Sequence, residues 1–203
     1  MALTGILLAA GRGKRFDPSG VQNKLLQTLG GGTGAGAGAG ASTGDPVVVA
    51  SAKNMLAALP RVLAIVRPGD DKVASLLGAL GCEVRVCADA DLGMGESLVT
   101  AIEHTSGAEG WVIALGDMPH VLPQTIRALA ATVEQGARIA APVYQGRRGN
   151  PVAFGHFHLP LLLALSGDQG ARDILKTHAV SEVPVDDAGV VRDIDTPGDL
   201  STE

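Results

Sequence analysis

The chain has 203 residues, 46% of them hydrophobic, enough to bury a sizeable core within one domain spanning 1–203. A formal net charge of −5 argues against a general nucleic-acid or anionic-membrane surface, and an aromatic content of 2% implies aliphatic packing. No apolar stretch approaches the roughly 20 residues of a membrane helix, and the first charges follow the N-terminal apolar run instead of preceding it, so a cytoplasmic location is expected, with no membrane and no nucleic acid as partner.

Gly5 to Leu8 reads as a buried strand that passes into Ala9–Gly13, a turn with little side-chain bulk, with Arg12, Lys14 and Arg15 in and after it and Lys24 beyond. Without bulk, successive backbone N–H groups can approach anionic oxygens, and the basic residues add charge where the backbone is most open. That combination suits a polyphosphate. Two common phosphate motifs fail here: Phe16 stands where a dinucleotide fingerprint needs its third glycine, and no G-x-x-x-x-G-K-[S/T] run is present. The alternative is a plain strand and glycine turn with solvated basic residues.

From Leu29 to Gly44 the chain reads LGGGTGAGAGAGASTG, which has almost nothing to bury and is costly to order. A flexible, passive insertion at 30–44 is expected, with a mobile flap over a ligand as the alternative. Val47–Leu59 has helical spacing and stops at Pro60, with Asn54 expected on its surface; Arg61–Val66 is a strand ended by Arg67-Pro68-Gly69; Asp71–Leu80 is a helix closed by Gly81. A strand at Val84–Cys87 and a helix at Gly95–His104 follow, then the apolar strand Trp111–Leu115 and the helix Pro123–Gln135. Cys82 and Cys87 lack C-x-x-C spacing and are expected as buried free thiols. Alternation of strands and helices makes this an α/β chain with a largely parallel sheet.

Ligands of such sheets bind outside the carboxyl ends of the strands. Asp117 sits at the end of WVIAL, on the edge that bears the Gly11–Arg15 turn, where it either starts a turn or holds a divalent cation. In VRDIDTPGDL, Asp193 and Asp195 flank Ile194 and share a face if extended, and a second aspartate returned to that edge makes a magnesium site credible. His156 and His158 also share a face if extended, but no third ligand is apparent, so surface or structural roles are expected. His120 adjoins Asp117 and could touch substrate.

The strings LLAAGRGKRF…NKLL, GMGESL, LGDMPHV, GRRGNPVAFG, GDQGAR and DIDTPGDL occur in the order seen in molybdenum cofactor nucleotidyltransferases. The chain resembles that family, particularly its cytidylyltransferase branch, over nearly its whole length. The resemblance implies a three-layer α/β/α, Rossmann-like nucleotidyltransferase fold with a mostly parallel sheet. It implies transfer of CMP from CTP to the molybdopterin phosphate of molybdenum cofactor with release of pyrophosphate, with Mg²⁺ as cofactor and a recipient molybdoenzyme or its chaperone as a further partner. The family usually has a short connection where this chain carries its glycine-rich insertion.

Carried over by motif, the resemblance makes Leu8, Ala9, Ala10, Gly11, Arg12, Gly13 and Arg15 the nucleotide loop, Lys24 a triphosphate contact and Ser97, in GMGESL, a residue near base and ribose. Asp117 and Asp195 become the metal ligands; Arg15, Lys24 and Asp117 the catalytic set. Acceptor contacts fall to Arg148, Gly149 and Asn150 of GRRGNP and to Arg172 at the start of a helix Ala171–His178. Cytosine rests on the LAAG and LGDMP forms, with GTP or ATP retained. The alternatives are another small phosphorylated acceptor on the same fold, or a non-catalytic chaperone binding nucleotide or cofactor.

Overall fold

The computed structural model describes residues 3–19, 21–30, 44–168 and 170–201; residues 31–43, which make up most of the glycine-rich insertion, lie outside them. The chain alternates as expected: β1 (Thr4–Ala9), α1 (Val47–Ala58), β2 (Val62–Val66), α2 (Asp71–Ala79), β3 (Glu83–Val86), α3 (Met94–His104), β4 (Gly110–Leu115), α4 (Pro123–Glu134) and β5 (Ile139–Tyr144). A hairpin of β5 with the two-residue β6 (Arg147–Arg148) then leads through β7 (Val152–Gly155), α5 (Leu159–Leu163) and α6 (Arg172–Thr177) to β8 (Ser181–Pro184). Among the described residues no helix is long and apolar enough to cross a membrane.

The strands form one eight-stranded sheet in the order β3-β2-β1-β4-β7-β5-β6, with β8 beside β5. β1, β2, β3 and β4 pair in parallel, β7 runs antiparallel to both β4 and β5, and β8 is parallel to β5. It follows that β1 to β5 and β8 all point the same way and β7 alone among the longer strands is reversed. This is a mixed α/β fold with a mostly parallel sheet and helices on both faces.

The pleat sorts the core into two. Along β1, Leu7 and Ala9 face the layer of α1, α2 and α4, while Ile6 and Leu8 face the layer of α3, α5 and α6. Each fully buried Ile or Leu contributes about 1.5–3 kcal/mol by area transfer, and the centre of β1 is buried on both faces. Trp111 lies wholly inside, its indole N–H donating to Thr105 Oγ1 at 2.9 Å. Both cysteines are buried free thiols as expected, and burial pushes the Cys82 thiol up to about 11.

One expectation is corrected here, and one condition is not met while its conclusion holds. Asn54 is 3% exposed, because α1 packs against α2 and α4 as well as the sheet, and its amide donates to Pro119 O at 2.9 Å. His156 and His158 do not share an extended face: they lie in a 3₁₀ turn that leads into α5, whose N-terminal Leu159-Pro160 stops the strand before them. His158 is buried edge-on to Phe154, Phe157 and His178, which makes its role structural.

Candidate functional site

Because the strands of the parallel set agree in direction, the segments after β1, β2, β3 and β4, the β5–β6 hairpin and the chain after β8 all emerge at one edge of the sheet. A cavity of about 440 Å³ opens there. Its wall includes every residue from Leu8 to Arg15, and Lys24, Ser97, Asp117 and Asp195 join it from distant points of the chain. Among the described residues Gly11 faces open space, and Gly13 adopts φ +61 against the Lys24 side chain, so the turn lies open to the cavity on one side and rests on Lys24 on the other.

Asp117 is held by contacts on both sides of its loop. Gly116 N donates to Leu8 O at 2.8 Å, Ile194 N donates to Asp117 O at 2.9 Å, and Pro119 O takes the Asn54 amide. Further along, the buried Asp187 accepts from Leu122 N at 2.9 Å and Thr125 Oγ1 at 2.6 Å, fixing the start of α4. The Ile194 contact is what returns Asp195 to Asp117 across 78 residues of sequence. His120, in this loop, is half-buried with its Nε2 unpartnered among the described residues; burial holds its imidazole below the usual range, and it lines neither this cavity nor the larger one beside it.

Charge in the cavity is concentrated and paired. The Lys24 ammonium, only 10% exposed, donates to Asp117 Oδ2 at 2.6 Å and to Ile194 O at 3.0 Å, and lies 3.5 Å from Asp195 Oδ1. Arg15 pairs with the other oxygen of Asp195. Burial raises the Asp193 carboxyl, with the hydrogen bond to Asp195 and the charges of Asp195 and Asp117 acting the same way, so the three aspartates lie within one field. Asp117 Oδ1 is buried without a hydrogen-bond partner among the described residues. An orphaned carboxylate oxygen beside a second carboxylate is a hard-oxygen donor set that fits Mg²⁺ or Mn²⁺. Among the described residues no group of three or more His, Cys, Asp or Glu is placed to hold a metal.

A second cavity, of about 930 Å³, adjoins the first and shares Leu8, Met94, Leu115 and Asp168 with it. Arg148, Gly149, Asn150 and Arg172 all line it, over a floor that includes Leu98, Ile113 and Phe154. The GRRGNP segment reaches it because β5 and β6 form a tight hairpin, turning at Gln145 and Gly146, both of positive φ. Asn150 N donates to Val190 O at 2.8 Å, and the Gly149 backbone lies so close that a Cβ would meet the same oxygen at 2.1 Å. Arg148 is paired with Glu182 at 2.7 Å, and Arg172 is the first residue of α6.

Several residues at these cavities escape sequence reasoning. Asp91, after β3, is a cavity residue that binds Arg12, its Oδ1 taking Arg12 Nε at 2.6 Å and Arg67 Nη2 at 3.2 Å. Its only sequence signal is its place beyond the carboxyl end of a strand. Lys176 and Asp173, paired at 2.7 Å on α6, line the second cavity without any motif to mark them. The glycines of GMGESL serve chain packing: Gly95 N donates to Gly167 O at 2.8 Å and Gly167 N donates to Glu96 Oε1 at 3.2 Å, locking this turn to the 166–168 segment where the two cavities meet. Ser97 lies in the first turn of α3, which opens at Met94, one residue before the expected Gly95.

Comparison with known proteins places this architecture. The sequence profile of the MobA-like NTP transferase domain matches residues 5–183. Purine catabolism protein PucB of Bacillus subtilis (strain 168) is 31% identical over 208 residues, covering 96% of this chain and 92% of that protein. The crystal structure of Rv0371c from Mycobacterium tuberculosis H37Rv superposes with a TM-score of 0.79 at 27% identity, over 98% of this chain and 95% of that one. A structure of Rv0371c as a manganese complex superposes at 0.68, with 24% identity, over 100% of this chain and 94% of that one. With the profile spanning most of the sequence and the fold matched end to end, the chain belongs to the family of MobA-like NTP transferase domains, the nucleotidyltransferases of this superfamily.

Proposed function

We propose that the protein transfers CMP from CTP to the terminal phosphate of molybdopterin in molybdenum cofactor, releasing pyrophosphate. The observation that carries the reading is the pair of adjoining cavities. One is a glycine-lined pocket whose wall carries four cations, Arg12, Lys14, Arg15 and Lys24, and four carboxylates, Asp117 and Asp195 among them; the other is about twice as large, with an apolar floor and arginines in its wall. The shared residues Leu8, Met94, Leu115 and Asp168 set two ligands end to end, as joining a nucleotide to a large acceptor requires.

In this reading the open backbone from Ala9 to Gly13 cradles the triphosphate, with Arg12, Arg15 and Lys24 on its oxygens. Asp117 and Asp195 hold Mg²⁺, which when bound neutralises phosphate charge. Arg148 and Arg172 hold the acceptor's anionic end, and Asn150 with the backbone at Gly149 supplies hydrogen bonds to a heterocycle. An oxygen of the acceptor phosphate attacks the nucleotide α-phosphorus in line; the new O–P bond forms as the α–β anhydride bond breaks, and pyrophosphate departs with the electron pair. The acceptor oxygen is already anionic, so no general base is required, and positioning with charge neutralisation accounts for the catalysis.

The test is incubation with each labelled nucleoside triphosphate, Mg²⁺ and molybdenum cofactor, following pyrophosphate and the dinucleotide product. Turnover with CTP is expected. Turnover with GTP or ATP alone overturns the cytosine assignment, and absence of pyrophosphate with every nucleotide overturns the activity.

A further inference from the structure

The turn after β2, Arg67-Pro68-Gly69-Asp70, lines neither cavity, yet it is tied to two of the cations that do. Arg67, 25% exposed, donates to Asp91 Oδ1 at 3.2 Å, and the same carboxylate takes Arg12 through Nε at 2.6 Å and through a second guanidinium contact. At the other end of the turn, Asp70 Oδ1 accepts from Asn23 Nδ2 at 3.2 Å. The other amide atom of Asn23, Oδ1, accepts from Leu25 N at 3.0 Å and so caps the 3₁₀ turn that begins with Lys24. Gly69 adopts φ +85, which lets a four-residue turn present both side chains.

We infer that this turn is a positioning element for the nucleotide cavity, with Arg67 setting Arg12 through Asp91 and Asp70 setting Lys24 through Asn23. The physical case is one of freedom and charge. Arg12 is a long side chain on an open loop, 46% exposed, and held at one end by a carboxylate that is itself 48% exposed; a pair so exposed is worth little alone. The half-buried Arg67 fixes that carboxylate from the far side, turning a floating pair into a three-membered network of defined direction. When Arg12 moves onto a phosphate, Arg67 remains to neutralise Asp91. For Lys24 the constraint is on the backbone: its ammonium reaches Asp117 only if the 24–26 turn is set, and that turn is capped by an amide whose rotamer Asp70 holds. Burial raises the Asp70 carboxyl while Arg67 and the Asn23 amide oppose the rise, and its Oδ2 is buried without a partner among the described residues, so its Asn23 contact is the one hydrogen bond to which that carboxylate is committed here.

The inference rests on the reading of the first cavity as a triphosphate site, and the experiment separates the two. CTP and CMP affinities are measured by calorimetry with Mg²⁺ for the wild type and for Arg67→Ala, Asp70→Ala and Asp70→Asn, and again in Arg12→Ala and Lys24→Ala backgrounds. Each alanine variant is expected to lose roughly fivefold in CTP affinity with less than about a twofold change for CMP, within the range of coupled neighbours. Asp70→Asn, which keeps an oxygen acceptor for Asn23, is expected to recover most of the loss. Arg67→Ala should cost nothing further once Arg12 is alanine, nor Asp70→Ala once Lys24 is. Equal losses for CTP and CMP, losses that add in those backgrounds, or no loss at all would overturn the positioning role alone. A wild-type protein that binds no nucleoside triphosphate would overturn the cavity's assignment, and this inference with it.

Discussion

Replacing Gly93 by alanine tests the contact that holds the two cavities together. Gly93 has φ 142 and ψ 176, a region open only to glycine, and a Cβ there would lie 2.1 Å from Gly167 C, 2.2 Å from Gly167 O and 2.5 Å from Asp168 N. All three are backbone atoms, so no rotamer change relieves the clash; the segments must part by more than an ångström. Parting breaks the Gly95–Gly167 and Gly167–Glu96 hydrogen bonds, worth about 0.5–1.5 kcal/mol each, and alanine in that backbone region adds roughly 1–3 kcal/mol. A loss of about 3 kcal/mol or more is therefore expected. Gly95→Ala meets Ser166 C at 2.8 Å and Gly167 O at 2.9 Å, but it sits in a helix where alanine is favoured by about 1 kcal/mol, so a loss near 1 kcal/mol is expected. Gly11→Ala, with nothing within 4 Å among the described residues, is the control and should change stability by less than about 0.5 kcal/mol. Its methyl group would instead stand between the backbone and a bound phosphate and weaken CTP binding. Urea unfolding followed by fluorescence of the single, buried Trp111 measures all three. Gly93→Ala within about 0.5 kcal/mol of wild type would refute the reasoning.

Asp117→Asn is expected to abolish transfer while the protein still unfolds cooperatively, since Lys24 keeps Asp195 and Ile194 O as partners; near-normal turnover at saturating Mg²⁺ would contradict it. Leu29 N donates to Asp45 O at 3.1 Å and Thr28 bridges Pro46, so the ends of the glycine-rich insertion are already joined. Shortening residues 31–43 to Gly-Gly should leave melting temperature and CTP affinity near wild type, because loop closure changes by only about 0.6 kcal/mol per doubling of length; a tenfold loss of affinity, about 1.4 kcal/mol, would give the insertion a part in binding. Burial, helped by His178 and Arg138, holds the His158 imidazole below its ordinary 6.5 in the folded state. The unfolded chain therefore takes up a proton first as pH falls, so stability is full above about 6.5 and declines below it. His158→Phe should flatten that decline in unfolding free energy between pH 7.5 and 5.5, and an unchanged slope would remove His158 as its source.

The sequence was most legible where one segment declares its own period. The β1 to β4 strands and their helices match expectation within a residue or two, since apolar runs and Gly or Pro stops are local signals. The burial of Asn54 is not legible in the sequence because its acceptor, Pro119 O, comes from a loop 65 residues away that no local pattern announces. Whether His156 and His158 share a face stays conditional in the sequence because the helix that follows begins only at Leu159, and a spacing of two residues does not distinguish a strand from a 3₁₀ turn. The reversal of β7 follows from the hairpin at Gln145, whose positive φ on a non-glycine residue has no dependable sequence mark. The residues assigned to the two cavities did come together, and what sequence could not supply was their mutual pairing, Lys24 with Asp117 and Asp195 and Arg12 with Asp91.

The common wall of Leu8, Met94, Leu115 and Asp168 carries a kinetic consequence for the proposed reaction. A dinucleotide made across that wall spans both pockets in one molecule, so its two halves are held at the effective concentration of a short tether and each rebinds before the other has left. Pyrophosphate, touching one pocket, departs quickly; the joined product departs slowly and competes with both substrates. Release of that product then limits turnover, and whatever next receives the dinucleotide accelerates the cycle by drawing it out of both pockets together.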